Sequence, residues 1–530
     1  MFREYNVIRK HGRPSDLHAA IVYPSTYVAA ISSLAVHILY YMLNRLDNVI
    51  AERVFYKYPE GSGLEKYRSI EFRRKLKDFD ILFISVHYEP DYVNIVDMLV
   101  NSKIPLYAKD RGNEDPVIVI GGPTVTANPE PLAEIADALI IGEVENILDE
   151  IIEAYFSSKT KSDFLDNIAS IKGVYVPSLG KYRVLKNYVE NLDETFYPIA
   201  QIQAEGMEPA YGRGVIVETS RGCRWYCQFC MEGFISKPKR DRSLFKIKEI
   251  TEKGLISNNV NRVVFYSLSF FDHDKADEIL EYVINDLKIE ASVPSMRPSL
   301  MNDYRLELMA KVGQKTLTIA PETLCQNIGA AIKKFISKHR ILEIIREALR
   351  KGFRSVKLYF IIGFPRTGIE EIRKIVEFVR EVVRETKILR SDQIKLSVNP
   401  LIPKPQTPLQ WLPMEDLNIL HAKFKYLEKE LGKLRVNMGF YSPEWAQIQS
   451  TIALGNRDIS KLLELWYYYG KGLCGWRKAV KYSKVGLRYI RKGRSLNEEL
   501  PWSHIDVGVP LKYLERGFFF FNKLIEKKCV

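Results

Sequence analysis

Glu218-Thr219-Ser220-Arg221-Gly222-Cys223-Arg224-Trp225-Tyr226-Cys227-Gln228-Phe229-Cys230 is the stretch on which the reading of this chain turns. Its cysteines are spaced Cys-x3-Cys-x2-Cys. A four-iron cluster needs an outer ligand on every iron, and three thiolates leave one iron open. An open iron can bind and reduce a small molecule. Cys223, Cys227 and Cys230 are therefore the candidate catalytic and metal-ligating residues. Two plainer readings compete: a zinc site short of its fourth ligand, or three unrelated buried cysteines. Cys325, Cys474 and Cys529 stand singly and suggest no disulfide framework.

Outward from this loop the pattern is α/β. Strands are expected at 215–218, 263–268, 291–293, 317–320, 356–362 and 394–398, with helical segments between them. Upstream, 19–23, 49–55, 81–86, 117–120 and 138–141 alternate with helical spacing, as in Leu34, Ile38, Leu39 and Met42. That alternation predicts a doubly wound parallel sheet. The expected domains are a sheet domain over 1–150, a connection with a short hairpin near 174–184 over 151–205, a barrel over 206–415 and a mostly helical region over 416–530.

The 530 residues carry a formal charge of +13, which favours anionic partners. Ten glutamines against abundant Lys, Glu and Ile give a thermophile-like bias. The start, Met1-Phe2-Arg3-Glu4, lacks an apolar signal core, and the longest apolar runs are too short to span a bilayer. A reducing, cytoplasmic setting is expected, with membrane association at the cytoplasmic face left open.

The cysteine spacing, with aromatic Phe229 just before the third cysteine, resembles the signature of radical S-adenosylmethionine (SAM) enzymes. The resemblance implies a [4Fe-4S] cluster, SAM's methionine end on the open iron, Phe229 beside the adenine, and a partial (β/α)6 barrel with its chemistry at the strands' carboxyl ends. Ala320-Pro321-Glu322-Thr323 is similar to the family's Gly-x-Glu-Ser segment, which implies Glu322 as a SAM ligand. Gly363-Phe364-Pro365 resembles the Gly-x-Pro turn at the adenine end, and the run from Pro403 to Trp411 resembles a closing strap. Where many members carry Gly-Gly-Glu, this chain has Ser267-Leu268-Ser269-Phe270-Phe271-Asp272, offering Ser267 and Ser269 hydroxyls and the Asp272 carboxylate. Arg297, in Ser295-Met296-Arg297-Pro298, is a candidate for SAM's carboxylate.

The upstream sheet resembles the cobalamin-binding domains found before many such barrels. Carried over, the lining would be Tyr27, Ser85, His87, Gly121, Gly122, Pro123, Gly142 and Glu143, the glycines letting backbone approach a bulky ligand. The Asp-x-His-x-x-Gly motif that supplies a cobalt ligand is absent, so cobalamin stays open beside a packing or capping role. Near the end, nine basic residues and no acidic one lie between Lys471 and Arg494, with helical spacing that suits a solvated face, RNA contact or anionic lipid. Gly517-Phe518-Phe519-Phe520-Phe521 adds an aromatic patch, and the segment from Leu500 to Gly508 resembles one found in a cobalamin-type subfamily.

The family chemistry is removal of hydrogen from an unactivated carbon. The favoured substrate reading is ring closure in archaeal tetraether lipids, because that group is similar in domain plan and composition. The alternatives are a cobalamin-dependent C-methyltransferase acting on RNA, protein or a metabolite, and a non-enzymatic iron–sulfur sensor or RNA-binding protein. Expected partners are a small-molecule or lipid substrate and a one-electron donor of the ferredoxin or flavodoxin type, with peripheral membrane and nucleic-acid contact left open. A methylthiotransferase is disfavoured because no second cysteine trio precedes Cys223.

Overall fold

The computed structural model describes residues 3–13, 15–294, 296–386, 390, 393–434, 436–526 and 529; Met1, Phe2 and Ser295, which figure in the readings above, lie outside them. The fold is α/β, as the alternation implies. Strands β1 (Leu17–Thr26), β2 (Val49–Lys57), β3 (Ile81–Ser85), β4 (Val117–Gly121) and β5 (Ala138–Ile140) form a parallel sheet in the order β2-β1-β3-β4-β5. Both faces are covered, so β3, β4 and β5 read as short apolar runs, whereas β2 carries the buried pair Glu52-Arg53. Alternation along them sorts the two sides: Ile21, Phe83 and Val119 join one core, and Val22, Leu82 and Ile118 the other. Helix α1 (Leu34–Asn44) packs on this sheet through Val36, Tyr40 and Leu43.

Strand β6 (Val174–Tyr175) joins the same sheet antiparallel to β5. The expected hairpin near 174–184 is therefore not formed. Val184–Leu185 instead pairs in parallel with Ile505–Asp506, its amides finding acceptors on the carboxyl-terminal segment. Backbone donors must be satisfied somewhere, and here a distant edge wins over the local one.

The second layer comprises β7 (Val215–Glu218), β8 (Arg262–Tyr266) and β9 (Glu290–Ser292), then β10 (Thr316–Glu322), β11 (Ser355–Ile362), β12 (Ile394–Pro400) and β13 (Asn437–Phe440). All neighbours run parallel, and among the described residues a bridge between Met296 and Ile319 links the two groups. Strand β13 comes from the region expected to be helical; it extends the barrel by pairing Val398 with Phe440. Strict alternation in β11 buries Val356, Leu358, Phe360 and Ile362 against outer helices α2 (Lys338–Arg350) and α3 (Glu370–Glu385). The other face of β11 points into the barrel.

The basic stretch is not one amphipathic helix. Helix α4 (Leu473–Tyr482) ends before Lys484 and Gly486, both at positive φ, and a single turn follows at Arg488–Arg491. Lys471 is bound to Asp97, Arg488 to Asp458, and Arg494 donates to the Leu454 carbonyl at 2.6 Å. Three of the nine cations therefore fasten the region to its neighbours. Helix α5 (Leu511–Ile525) buries Leu514, Phe521 and Ile525 and leaves Phe519 (60 %) and Phe520 (43 %) exposed. Cys325 and Cys529, read singly in sequence, form a disulfide that ties the chain's end to the barrel. The pairing is invisible in sequence because 204 residues separate them. No described helix is long and apolar enough to cross a membrane.

At the amino-terminal edge, fully buried Arg53 bonds Glu4 at 2.8 Å and Glu71 at 2.6 Å. Breaking such a pair strands a buried charge. Arg53→Met is expected to cost about 3–5 kcal/mol of unfolding free energy, measured by denaturant titration; a change below about 1 kcal/mol would refute the pairing as a structural element.

Candidate functional site

The cysteine loop leaves the carboxyl end of β7, where barrel chemistry is placed. Gly222 turns it at φ +85°, and a Cβ there would stand 2.5 Å from the Ser236 carbonyl oxygen. Arg221, next to it, bonds Glu218 at 2.9 Å, Glu145 at 2.8 Å and Glu143 at 3.0 Å. The last two come from the loop after β5, so this arginine pins the cysteine loop to the amino-terminal sheet. Arg240 adds a second tie to Glu143 at 2.7 Å, and Arg242 bonds Glu218 at 3.1 Å. Burial opposes ionisation of Glu143, but Arg240 and Arg221 hold its carboxyl below the usual range.

Cys223, Cys227 and Cys230 are half-buried on this loop. Burial pushes the Cys230 thiol up to about 12 and raises that of Cys223, and the neighbouring cysteines add to both shifts. Arg297 donates to the Cys227 sulfur at 3.3 Å while lying 3.8 Å over the Trp225 ring. Trp225 in turn donates to Asp272 at 2.6 Å. Lys237 donates to the Cys223 carbonyl at 2.9 Å. Among the described residues no group of three His, Cys, Asp or Glu side chains is drawn together as a single ion requires. The donor set, three thiols on one loop with cations beside them, suits a larger, net-negative cluster.

The other SAM candidates lie around this loop. Phe229 packs with Cys325, Phe364 and Phe521. Glu322 ends β10 at φ +65°, and burial raises its carboxyl although Lys334 bonds it at 2.6 Å. Gly363 follows β11 at φ +84° with Leu420 and Glu415 beside it. Ser267 bonds Ser220 at 2.7 Å, and the buried Ser269 hydroxyl finds no partner among the described residues. Sequence reasoning missed Arg221, Trp225, Lys237 and Lys334. The neighbourhood of the cysteines could have flagged Arg221, Trp225 and Lys237, whereas Lys334 is found only by folding.

A cavity of about 860 Å³ lies between the amino-terminal sheet and the barrel. One wall holds Ser85, His87, Gly121, Gly122, Pro123, Gly142 and Glu143; the other holds Ser220, Arg221, Gly222, Ser267 and Ser292. Leu34, Ile38, Leu39 and Phe83 give it an apolar side. The size is at the upper end for small-molecule sites, and a large planar ligand fits the donors and apolar surface present. His87 is exposed on the cavity wall yet surrounded by protein; burial lowers its pKa, and Ser85 bonds its Nε2 at 3.3 Å. Tyr27 does not line the cavity. Its hydroxyl donates to Glu4 at 2.7 Å in the Arg53 cluster, where a buried phenol finds its acceptor. The glycines also answer to their own chain: a Cβ at Gly122 would stand 2.1 Å from the Val86 oxygen and one at Gly142 2.0 Å from the Asn187 oxygen.

Residues 35–177 match the family of radical SAM proteins, N-terminal, and residues 217–379 the radical SAM superfamily. An uncharacterised protein of Methanocaldococcus jannaschii is 30 % identical over 476 residues, 89 % of this chain and 96 % of the relative. The chain belongs to the radical SAM superfamily, and its cofactors are the [4Fe-4S] cluster and SAM. It is also similar to an uncharacterised methyltransferase of Pyrococcus horikoshii, 26 % identical over 320 residues, 57 % of this chain and 67 % of that protein. Among solved structures, the cobalamin-dependent SAM radical enzyme OxsB matches with TM-score 0.47 and 12 % identity over 96 % of this chain and 79 % of its own. The radical SAM methyltransferase TsrM of Kitasatospora setae gives TM-score 0.47 and 14 % identity over 72 % of each chain.

Thiolates, not thiols, bind iron, and the raised Cys230 and Cys223 pKa values mean that loading must displace protons. Anaerobic reconstitution is expected to go further at about pH 9 than at about pH 7, followed by iron-to-sulfur charge-transfer absorbance. Loading independent of pH would contradict it.

Proposed function

We propose that the protein is a cobalamin-dependent radical SAM C-methyltransferase. The observation that carries this is the single cavity shared by the carboxyl ends of the amino-terminal strands and the barrel mouth. The methyltransferase name of the Pyrococcus relative supports it. Cys223, Cys227 and Cys230 would hold the cluster, with SAM between it and Glu322, and cobalamin would lie against Ser85, His87, Gly121 and Gly142.

When bound, the cluster and SAM supply one-electron opening of the sulfonium's S–C5′ bond and a radical that takes hydrogen from an unactivated carbon; cobalamin supplies methyl carriage. The chain's own work is placement and exclusion. Arg297 and Lys237 offset negative charge on the cysteine loop, and the Trp225–Asp272 bond fixes its turn. Glu322 offers a buried carboxylate to an ammonium or ribose hydroxyl, with Lys334 holding its orientation. The apolar side of the cavity keeps water from a reactive carbon.

Ring closure in a tetraether lipid is the second reading. It is favoured by the apolar cavity side at Leu34, Ile38 and Leu39 and by exposed Phe519 and Phe520 on α5, which would suit a hydrocarbon chain and a membrane edge.

Reconstituted protein given cobalamin, SAM and a strong reductant is expected to retain cobalamin absorbance through gel filtration and to form 5′-deoxyadenosine. Cys227→Ala is expected to abolish 5′-deoxyadenosine while keeping the cobalamin. A protein that retains none, together with loss of cyclopentane lipids in a deletion strain, would move the assignment to the second reading. Glu322→Gln removes a charge-assisted contact of about 1.5–3 kcal/mol; equilibrium SAM binding should weaken by that amount, and unchanged affinity would remove Glu322 from the site.

A further inference from the structure

On the outer side of the cysteine loop lies a groove of about 650 Å³ with Cys223 in its wall. Adjacent residues face opposite compartments: Gly222 lines the inner cavity and Cys223 the outer groove. Five basic side chains, Lys172, Lys186, Arg224, Lys237 and Lys239, stand around the groove against one carboxylate, Asp506. Asp506 is already bonded by Arg183 at 2.6 Å. Lys239 pairs with Asp241, and Arg224 lies 3.9 Å from Asp272 and 3.8 Å from Asp274. Lys186 is buried and its ammonium is taken up by the Ile235 and Lys237 carbonyls, so among the described residues Lys172 and Lys237 are the groove lysines left without a carboxylate partner.

The groove is not merely charged. Leu185 (48 % exposed) and Tyr226 (40 % exposed) add apolar surface, and Lys237 sits 3.6 Å over the Tyr226 ring while bonding the Cys223 carbonyl. Apolar and aromatic surface flanked by cations is the composition of a protein-binding patch. A free anion would use the lysines and leave Leu185 and Tyr226 idle.

We propose that this groove docks a small acidic one-electron carrier protein, which passes its electron to the cluster beside Cys223. The inference rests on the radical SAM assignment and adds the face and residues by which the reductant is received. The carrier loses one electron and the cluster gains it; no proton or group moves in that transfer, and the electron is the one consumed when the sulfonium opens. Opposite charge steers the encounter and makes it salt-dependent.

The test compares two reductants on the full-length reconstituted protein: reduced acidic ferredoxin and titanium(III) citrate, which needs no docking. In the Lys172→Glu, Lys239→Glu double variant, the KM for ferredoxin is expected to rise about tenfold or more. Titanium-driven 5′-deoxyadenosine formation should stay at the wild-type rate, and the salt dependence of the ferredoxin reaction should flatten. An unchanged KM overturns the proposal, and so does an equal loss with both reductants, which would make these lysines structural. Binding of oxidised ferredoxin, followed by calorimetry at low and high salt, is read separately. Salt-independent binding, or binding of an RNA homopolymer in its place, likewise overturns the groove assignment. If wild-type protein cleaves no SAM even with titanium, the enzymatic reading fails on its own, while the calorimetry still decides the groove.

Discussion

The guanidinium of Arg221, seconded by that of Arg240, holds the two halves of the site in register. The Arg221 guanidinium is shared by Glu218 at the end of β7 and by Glu143 and Glu145 from the loop after β5. A charge with so little water around it is tolerable only while its partners stay in place, because losing one leaves the rest unpaired. The cysteine loop therefore cannot shift without disturbing the loop that closes the amino-terminal sheet. The cavity wall, the iron-binding loop and the turn at Gly142 form one mechanical unit.

That unit explains which parts of the site could be read from sequence. Cys223, Cys227 and Cys230 carry their meaning in local spacing, and Ser85, His87, Gly121, Gly122 and Gly142 come from the resemblance to cobalamin-binding domains, laid on strand ends that hydrophobic runs reveal. The structure places this second set on one wall. Tyr27 was misplaced because a tyrosine after a strand looks the same whether it faces a ligand or Glu4; the deciding bond spans 23 residues. Glu143 was legible as a loop residue, but its arginine partners came into view only with the fold. The basic stretch after Lys471 has helical spacing, yet left-handed Lys484 and Gly486 break it, and two of its cations, Lys471 and Arg488, are bound to Asp97 and Asp458.

The α/β alternation located the amino-terminal sheet and the first six barrel strands, because strands buried on two faces announce themselves as apolar runs. Strand β13 escaped because Asn437-Met438-Gly439-Phe440 has only two large apolar residues and owes its extension to pairing with β12. The disulfide between Cys325 and Cys529 and the parallel pairing of Val184–Leu185 with Ile505–Asp506 are likewise gifts of topology rather than of local pattern.

Gly122 and Gly142 hold one more piece of information. At each, the place a side chain would take belongs to another stretch of main chain, at φ +129° and +104° respectively. No rotamer change can make room, since carbonyl oxygens rather than side chains stand in the way. Descent with divergence can rewrite the apolar lining residue by residue, but it has no second choice at these two positions. They are a fingerprint by which the same chamber can be recognised in chains too distant to align, and a distant chain bearing a side chain at either one has built a different wall.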